Sequence, residues 1–140
     1  MRHPPHAYIP GLTARHPDGA FDVIRDSVAP GMSAAELAGS DAFVTGLRFL
    51  DEGLYWEAHE VLEPVWMACL DPSPEREAVQ ALIQVANAGV KARMGRPRAV
   101  ARIAALVEGH LAGMGSGPIL GQSADGIRAR LEAVCAEIAL

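Results

Sequence analysis

The sequence predicts an all-α protein: a compact helical bundle preceded by an irregular, Pro/Gly/His-rich N-terminal arm. Three observations carry this reading. Apolar residues recur at helical spacing through most of the chain after residue 20. Helix-starting and helix-stopping residues punctuate it at regular intervals. The β-branched residues fall inside those helical patterns, which leaves no strand pair. Half of the 140 residues are hydrophobic, enough for one sizeable core, so residues 1–140 are read as a single domain.

Residues 1–20 are rich in proline, glycine and histidine and lack periodicity, which makes them the arm. Tyr8, Ile9 and Leu12 are its candidate pins to the body. A short helix is expected over Phe21 to Val28, ended by Pro30-Gly31. Ser33-Ala34-Ala35-Glu36 has the spacing of a capping box, in which a serine and a glutamate three residues apart bond each other's backbone N–H. Ser40 or Asp41 then caps a helix carrying Phe43, Leu47 and Leu50, and Gly53 breaks it. Leu54 to about Leu70 form the next helix. Ser73 followed by Pro74 opens a long one, from Glu75 to about Met94, stopped by Gly95. Pro97 starts another that reaches about Leu111. A glycine-rich loop leads to a last helix over 124–139, with Ile127, Leu131, Val134 and Ile138 on one face. Residues 41–112 form the helical core of this scheme. The turn at Gly53 and the one at Gly95-Arg96-Pro97 resemble those of tetratricopeptide hairpins, but two hairpins are too few for a solenoid.

Bulk properties exclude several classes of function. The net charge of -5 argues against nucleic-acid binding, which favours basic proteins. No apolar run reaches membrane-spanning length. The residues after Met1 lack the apolar stretch of a secretory signal. Cys69 and Cys135 are far apart and belong to no Cys-x-x-Cys pair, so free thiols and a cytoplasmic location are expected.

The informative feature is polar. The helix after Gly53 is apolar on two sides, yet it carries Glu57, His59, Glu60 and Glu63. A buried carboxylate without a partner costs several kcal/mol, so partners must exist. The next helix offers Gln80, Gln84, Asn87 and Lys91, a thin polar stripe on one face. A short loop makes the two helices antiparallel neighbours, and folding back about residue 72 opposes Glu63 to Gln80, Glu60 to Gln84 and Glu57 to Asn87. Glu60 is therefore expected to be the ionised acceptor of Gln84. Pro64 has no N–H, so it leaves the carbonyl oxygen of Glu60 without its helical donor.

Charge is segregated as well. Asp51 to Glu63 holds five acids and no Lys or Arg, whereas Ala78 to Val107 holds five bases and no acid. The plain reading is mutual neutralisation of neighbouring helices. The alternative is an anion site at the Arg96/Arg98 end.

Gly53-Leu-Tyr-Trp-Glu57-Ala-His59-Glu60-Val-Leu-Glu63-Pro-Val-Trp66 resembles the signature of domain-of-unknown-function family 309, a group of small all-helical prokaryotic proteins. Gln80-Ala-Leu-Ile-Gln84-Val-Ala-Asn87, followed by Lys91 and Gly95, resembles the family's second block. Tyr8-x-Pro10-Gly11 and Arg15-His16-Pro17 resemble an N-terminal block of some members. The resemblance implies a compact helical bundle and brings no catalytic residues with it.

Two functions compete for the polar seam. In the first, the seam fixes helix packing or borders a pocket for a small-molecule ligand, with Tyr55, Trp56, Trp66, Gln80, Gln84, Asn87, Lys91, Arg15 and His16 as candidate ligand-binding residues. Arg15-His16 would join the site if the arm packs back over it. In the second, a hydrolase-type enzyme uses His59 with Glu60 and Glu63 as acid/base groups or metal ligands, and Glu57, His59, Glu60 and Glu63 are the candidate catalytic residues. His59 and Glu63 lie one helical turn apart, as metal ligands do, but a third ligand would have to come from distant His16 or His110. No metal and no cofactor is therefore expected. The first reading is preferred, because satisfied polar networks outnumber active sites. Self-association is left open.

Overall fold

The computed structural model describes residues 2–138 and is all-helical, with seven helices and no strand among them. They are α1 (Asp22–Arg25), α2 (Ala34–Ala38), α3 (Asp41–Asp51), α4 (Tyr55–Ala68), α5 (Pro74–Arg93), α6 (Pro97–Ala112) and α7 (Ala124–Ile138). The expected boundaries hold to within a few residues, and residue 139 of the expected last helix lies outside the described residues. The first helix is shorter than expected. It stops at Arg25 because Ser27 turns its hydroxyl back onto the Ile24 carbonyl and accepts the Ala42 N–H on its oxygen.

The start signals act as their chemistry requires. Ser33 and Glu36 close a full capping box. Ser40 Oγ accepts from Phe43 N–H, and Ser73 Oγ from Arg76 N–H, each satisfying one donor that has no partner within its own helix. Gly53 turns the chain between α3 and α4 at φ +74°, a left-handed conformation that only glycine adopts at no cost.

Helix α5 is the axis of the bundle and packs against α4, α6 and α7. Nine of its residues are buried, among them Val79, Leu82 and Val85. Helix α4 lies between α3 and α5. Its approach to each depends on a missing side chain. A Cβ on Gly46 would stand 2.5 Å from a Leu62 methyl, and one on Gly89 would stand 2.2 Å from the Tyr55 ring. Tyr55 on Gly89 is the register expected from folding the chain about residue 72. Arg93 locks this end. It donates to the Gly53 carbonyl oxygen at 3.1 Å and grips Glu137 of α7 with two hydrogen bonds. Glu137 also accepts the Tyr55 hydroxyl at 3.0 Å. Burial, with the Glu137 charge beside it, pushes the Tyr55 phenol up to about 12.

The arm folds back onto the α3–α4 face. Arg2 reaches Asp41 and His3 reaches Glu52. Inside the arm, Thr13 Oγ1 accepts from Ile9 N–H and donates to the Ala7 carbonyl. His6 Nε2 donates to the Ala14 carbonyl at 2.7 Å. Of the expected pins, Tyr8 and Ile9 are half-buried, while Leu12 is 68% exposed and pins nothing.

Candidate functional site

Glu57 stands in the first turn of α4, where the unpaired N–H groups of the helix start favour an anion. Its side chain is wholly buried. Both of its hydrogen bonds come from the arm and converge on one oxygen. Tyr8 N–H donates to Oε2 at 2.7 Å, and His16 Nε2 bonds the same atom at 2.6 Å. The other oxygen, Oε1, has no hydrogen-bond partner among the described residues. His16 is itself buried, at 2% side-chain exposure. Aromatic rings enclose it. His6 lies 4.9 Å away and Phe21 5.5 Å away, centroid to centroid, with Trp56 at 6.1 Å. Tyr8 meets Trp56 edge-on at 5.1 Å, and the Arg15 guanidinium lies over the Tyr8 ring.

One turn further along α4 the polar groups become half-exposed. Arg25 of α1 donates to the Glu60 carbonyl oxygen, the acceptor that Pro64 leaves free, and lies 3.8 Å from both the Glu60 and Glu63 carboxylates. His59 stands 3.7 Å from Glu60 and 3.8 Å from Glu63. These neighbours hold the Glu60 carboxyl below its usual range. The His59 ring 3.7 Å away contributes most, partial burial opposes it, and Arg25 and Arg15 add to the lowering.

Between the arm, α1 and α4 lies a cleft of about 360 Å³, with Arg15, Asp18, Asp22, Arg25, Trp56 and Glu60 among its lining residues. His16 forms part of the same wall. The site therefore brings Arg15, His16, Trp56, Glu57, His59, Glu60 and Glu63 into one neighbourhood.

The α5 stripe does not join it. Gln80, Gln84, Asn87 and Lys91 are half-buried, and their one side-chain hydrogen bond runs between Asn87 and Gln84 at 3.3 Å. No hydrogen bond links Glu57, Glu60 or Glu63 to any of them among the described residues, so the expected pairing of Glu60 with Gln84 is replaced by Arg25 and His59. The reason is geometric. Helices α4, α6 and α7 enclose α5 on its other sides, and the stripe is the part of its surface they leave partly open. Trp66 also sits apart, with the Arg76 guanidinium 3.9 Å above its ring. Tyr55 belongs to the Arg93–Glu137 contact.

Among the described residues no three His, Cys, Asp or Glu side chains gather as metal ligands do. The two distant histidines considered as a third ligand are engaged elsewhere, His16 with Glu57 and His110 with Glu77 at 2.7 Å. The sequence reading missed Arg25. The sequence carried the need but not the partner: Pro64 orphans a carbonyl that some donor must satisfy, and nothing in its spacing singles out Arg25.

Fold and site define a small helical bundle whose N-terminal arm is locked over a polar helix. Residues 43–103 match the model of the family described as Domain of unknown function (DUF309), which bears out the resemblance read from the Glu-Ala-His-Glu-x-x-Glu-Pro-x-Trp run. No curated protein and no solved structure matches the chain significantly.

Proposed function

We propose that this protein binds a small polar ligand in the cleft between the arm, α1 and α4, and that the Tyr8–Glu57–His16 network is the buried polar lock that holds the cleft in shape. The observation that carries this is Glu57. A fully buried carboxylate is costly, and here both its donors come from the arm, 49 and 41 residues away in sequence. Packing α4 alone would not need it, since an apolar residue in its place would bury as well. What the carboxylate achieves is a fixed position for the arm, and with it one wall of the cleft.

The lining sets the ligand chemistry. Arg15 and Arg25 suit an anionic group, Asp18, Asp22 and Glu60 suit hydrogen-bond donors, and Trp56 offers an apolar plane. A volume of about 360 Å³ is at the small end of the roughly 300–1,000 Å³ of ligand sites. A compact molecule bearing both charge signs fits best. The free thiols of Cys69 and Cys135 support a reducing, cytoplasmic setting. Burial pushes the Cys69 thiol up to about 11, which makes it a poor nucleophile.

The test is amide-shift mapping with a panel of zwitterionic and dicarboxylate small molecules. Saturable shifts at residues 15–25 and 56–60, lost in Arg15→Ala and Trp56→Ala, are expected. A panel that yields no saturable shift there, or hits that survive both substitutions, would remove the reading.

A further inference from the structure

The chain has twelve Lys and Arg residues, and their partners divide them sharply. Arg2, Arg25, Arg48, Arg76, Arg93, Arg128 and Arg130 are each ion-paired, and Arg15 lies over Tyr8. The remaining four are Lys91, Arg96, Arg98 and Arg102. None of them has an ion pair or a side-chain hydrogen bond among the described residues, and all four line one concavity of about 400 Å³ between the end of α5 and the start of α6. The mutual neutralisation expected between the acidic and basic stretches does not occur. Of the five bases in 78–107 only Arg93 is paired among the described residues, and its partner is Glu137. The acids of 51–63 take Arg130, Arg48, His3, His16, His59 and Arg25 instead.

We propose that this concavity is an anion site for the phosphate groups of a small diphosphate-type ligand. Four cations held together without counter-charge repel one another, and a protein of net charge -5 has carboxylates to spare for them. Three of the four are arginines, whose planar forks match phosphate oxygens two at a time. The backbone adds to them. The first turn of α6 contains no acid, and no side chain caps it at Arg96. The N–H groups of Arg98 and Ala99 therefore have no partner within the helix and face the same end as the cations. Cations and free N–H groups around a cavity of that size suit two linked phosphates better than a single carboxylate. The proposal is independent of the arm cleft, which lies against α4 and shares no lining residue with this one.

The experiment titrates the full-length protein, labelled for amide-shift mapping, with inorganic pyrophosphate and with a nucleoside diphosphate, at low and at physiological salt. Saturable shifts centred on residues 91–102 are expected from both probes, weakening with salt. Equal affinity for the two would mean that the phosphates alone are read; tighter binding of the nucleoside diphosphate would mean that the concavity also takes the organic part. The double substitution Arg98→Ala, Arg102→Ala changes exposed side chains and should leave the thermal melt unmoved while weakening binding about tenfold or more. No saturable shift at these residues would overturn the proposal, and so would undiminished affinity in the double variant. A short single-stranded RNA bound far more tightly than either probe would overturn it too, since the surface would then be reading a polymer backbone.

Discussion

Helices α4 and α5 each carry a row of polar residues through an otherwise apolar stretch, and the two rows end in different surroundings. On α4 the row is covered. Glu57 is buried under the arm, and Glu60 and Glu63 share Arg25 and His59. On α5 the row of Gln80, Gln84, Asn87 and Lys91 stays half-exposed, and among the described residues its side chains bond only within the row. The helices are antiparallel neighbours in the expected register, with Tyr55 on Gly89, yet the α5 row lies on the part of its helix that α4, α6 and α7 leave partly open. Register alone did not pair the rows, and charge favours the partners that the α4 row has. Carboxylates gain more from a histidine or an arginine than from a neutral amide, and the arm and α1 supply those partners.

The largest effect should follow from breaking the covered row at its buried member. Glu57→Ala removes the acceptor of both Tyr8 N–H and His16. The cost should be about 3–5 kcal/mol in urea denaturation, as for other broken buried pairs. The arm should also become cleavable at Arg15 under limited trypsin digestion. A variant as stable as the parent with an intact arm would show that the lock is ornamental.

Glu60→Gln should matter much less, by about 1 kcal/mol or less, because its ion pairs are half-exposed and long. Its contribution has a direction in pH. The carboxyl is held below its ordinary value of 4.5 in the folded protein, chiefly by His59. The stabilisation is therefore full above that value and is lost as the pH falls through the lower, folded one. The urea midpoints of parent and Glu60→Gln should converge on acidification. A difference that grows below pH 4.5 would contradict the assignment.

How much of this was legible in the sequence follows the same division. The helices were legible because their signals are local: Ser33 with Glu36, Ser73 with Pro74, and the turn at Gly53 all act within a few residues. The register of α4 on α5 was legible because one short loop fixes it. The carboxylates were legible as a problem, since Glu57 inside an apolar helix demands a partner. The partners were not legible, because His16 and Tyr8 reach Glu57 through an arm without periodicity, and Arg25 sits on a four-residue helix that carries no spacing signal of its own. Helical periodicity shows which face a residue occupies and is silent on which distant segment will cover that face.

The smallest effect sharpens the comparison most. Gln84→Ala removes a half-exposed side chain whose one bond, to Asn87, is long at 3.3 Å, and it introduces the best helix former. A change within about 0.5 kcal/mol of zero is expected. The decisive quantity is its coupling to Glu60. If the two rows are independent, the effects of Glu60→Gln and Gln84→Ala add, and the double variant shows an interaction energy below about 0.5 kcal/mol. If the rows meet in solution, each single change already removes the shared contact, and the double variant loses less than the sum. A coupling of about 1 kcal/mol or more would place Gln84 against Glu60 and restore the direct seam between α4 and α5. The same cycle run on Glu60→Gln with Arg25→Ala supplies the positive control, since the Arg25 guanidinium lies 3.8 Å from the Glu60 carboxylate whose charge the substitution removes. Coupling in the Arg25 cycle and none in the Gln84 cycle is the outcome that the arm-side site requires.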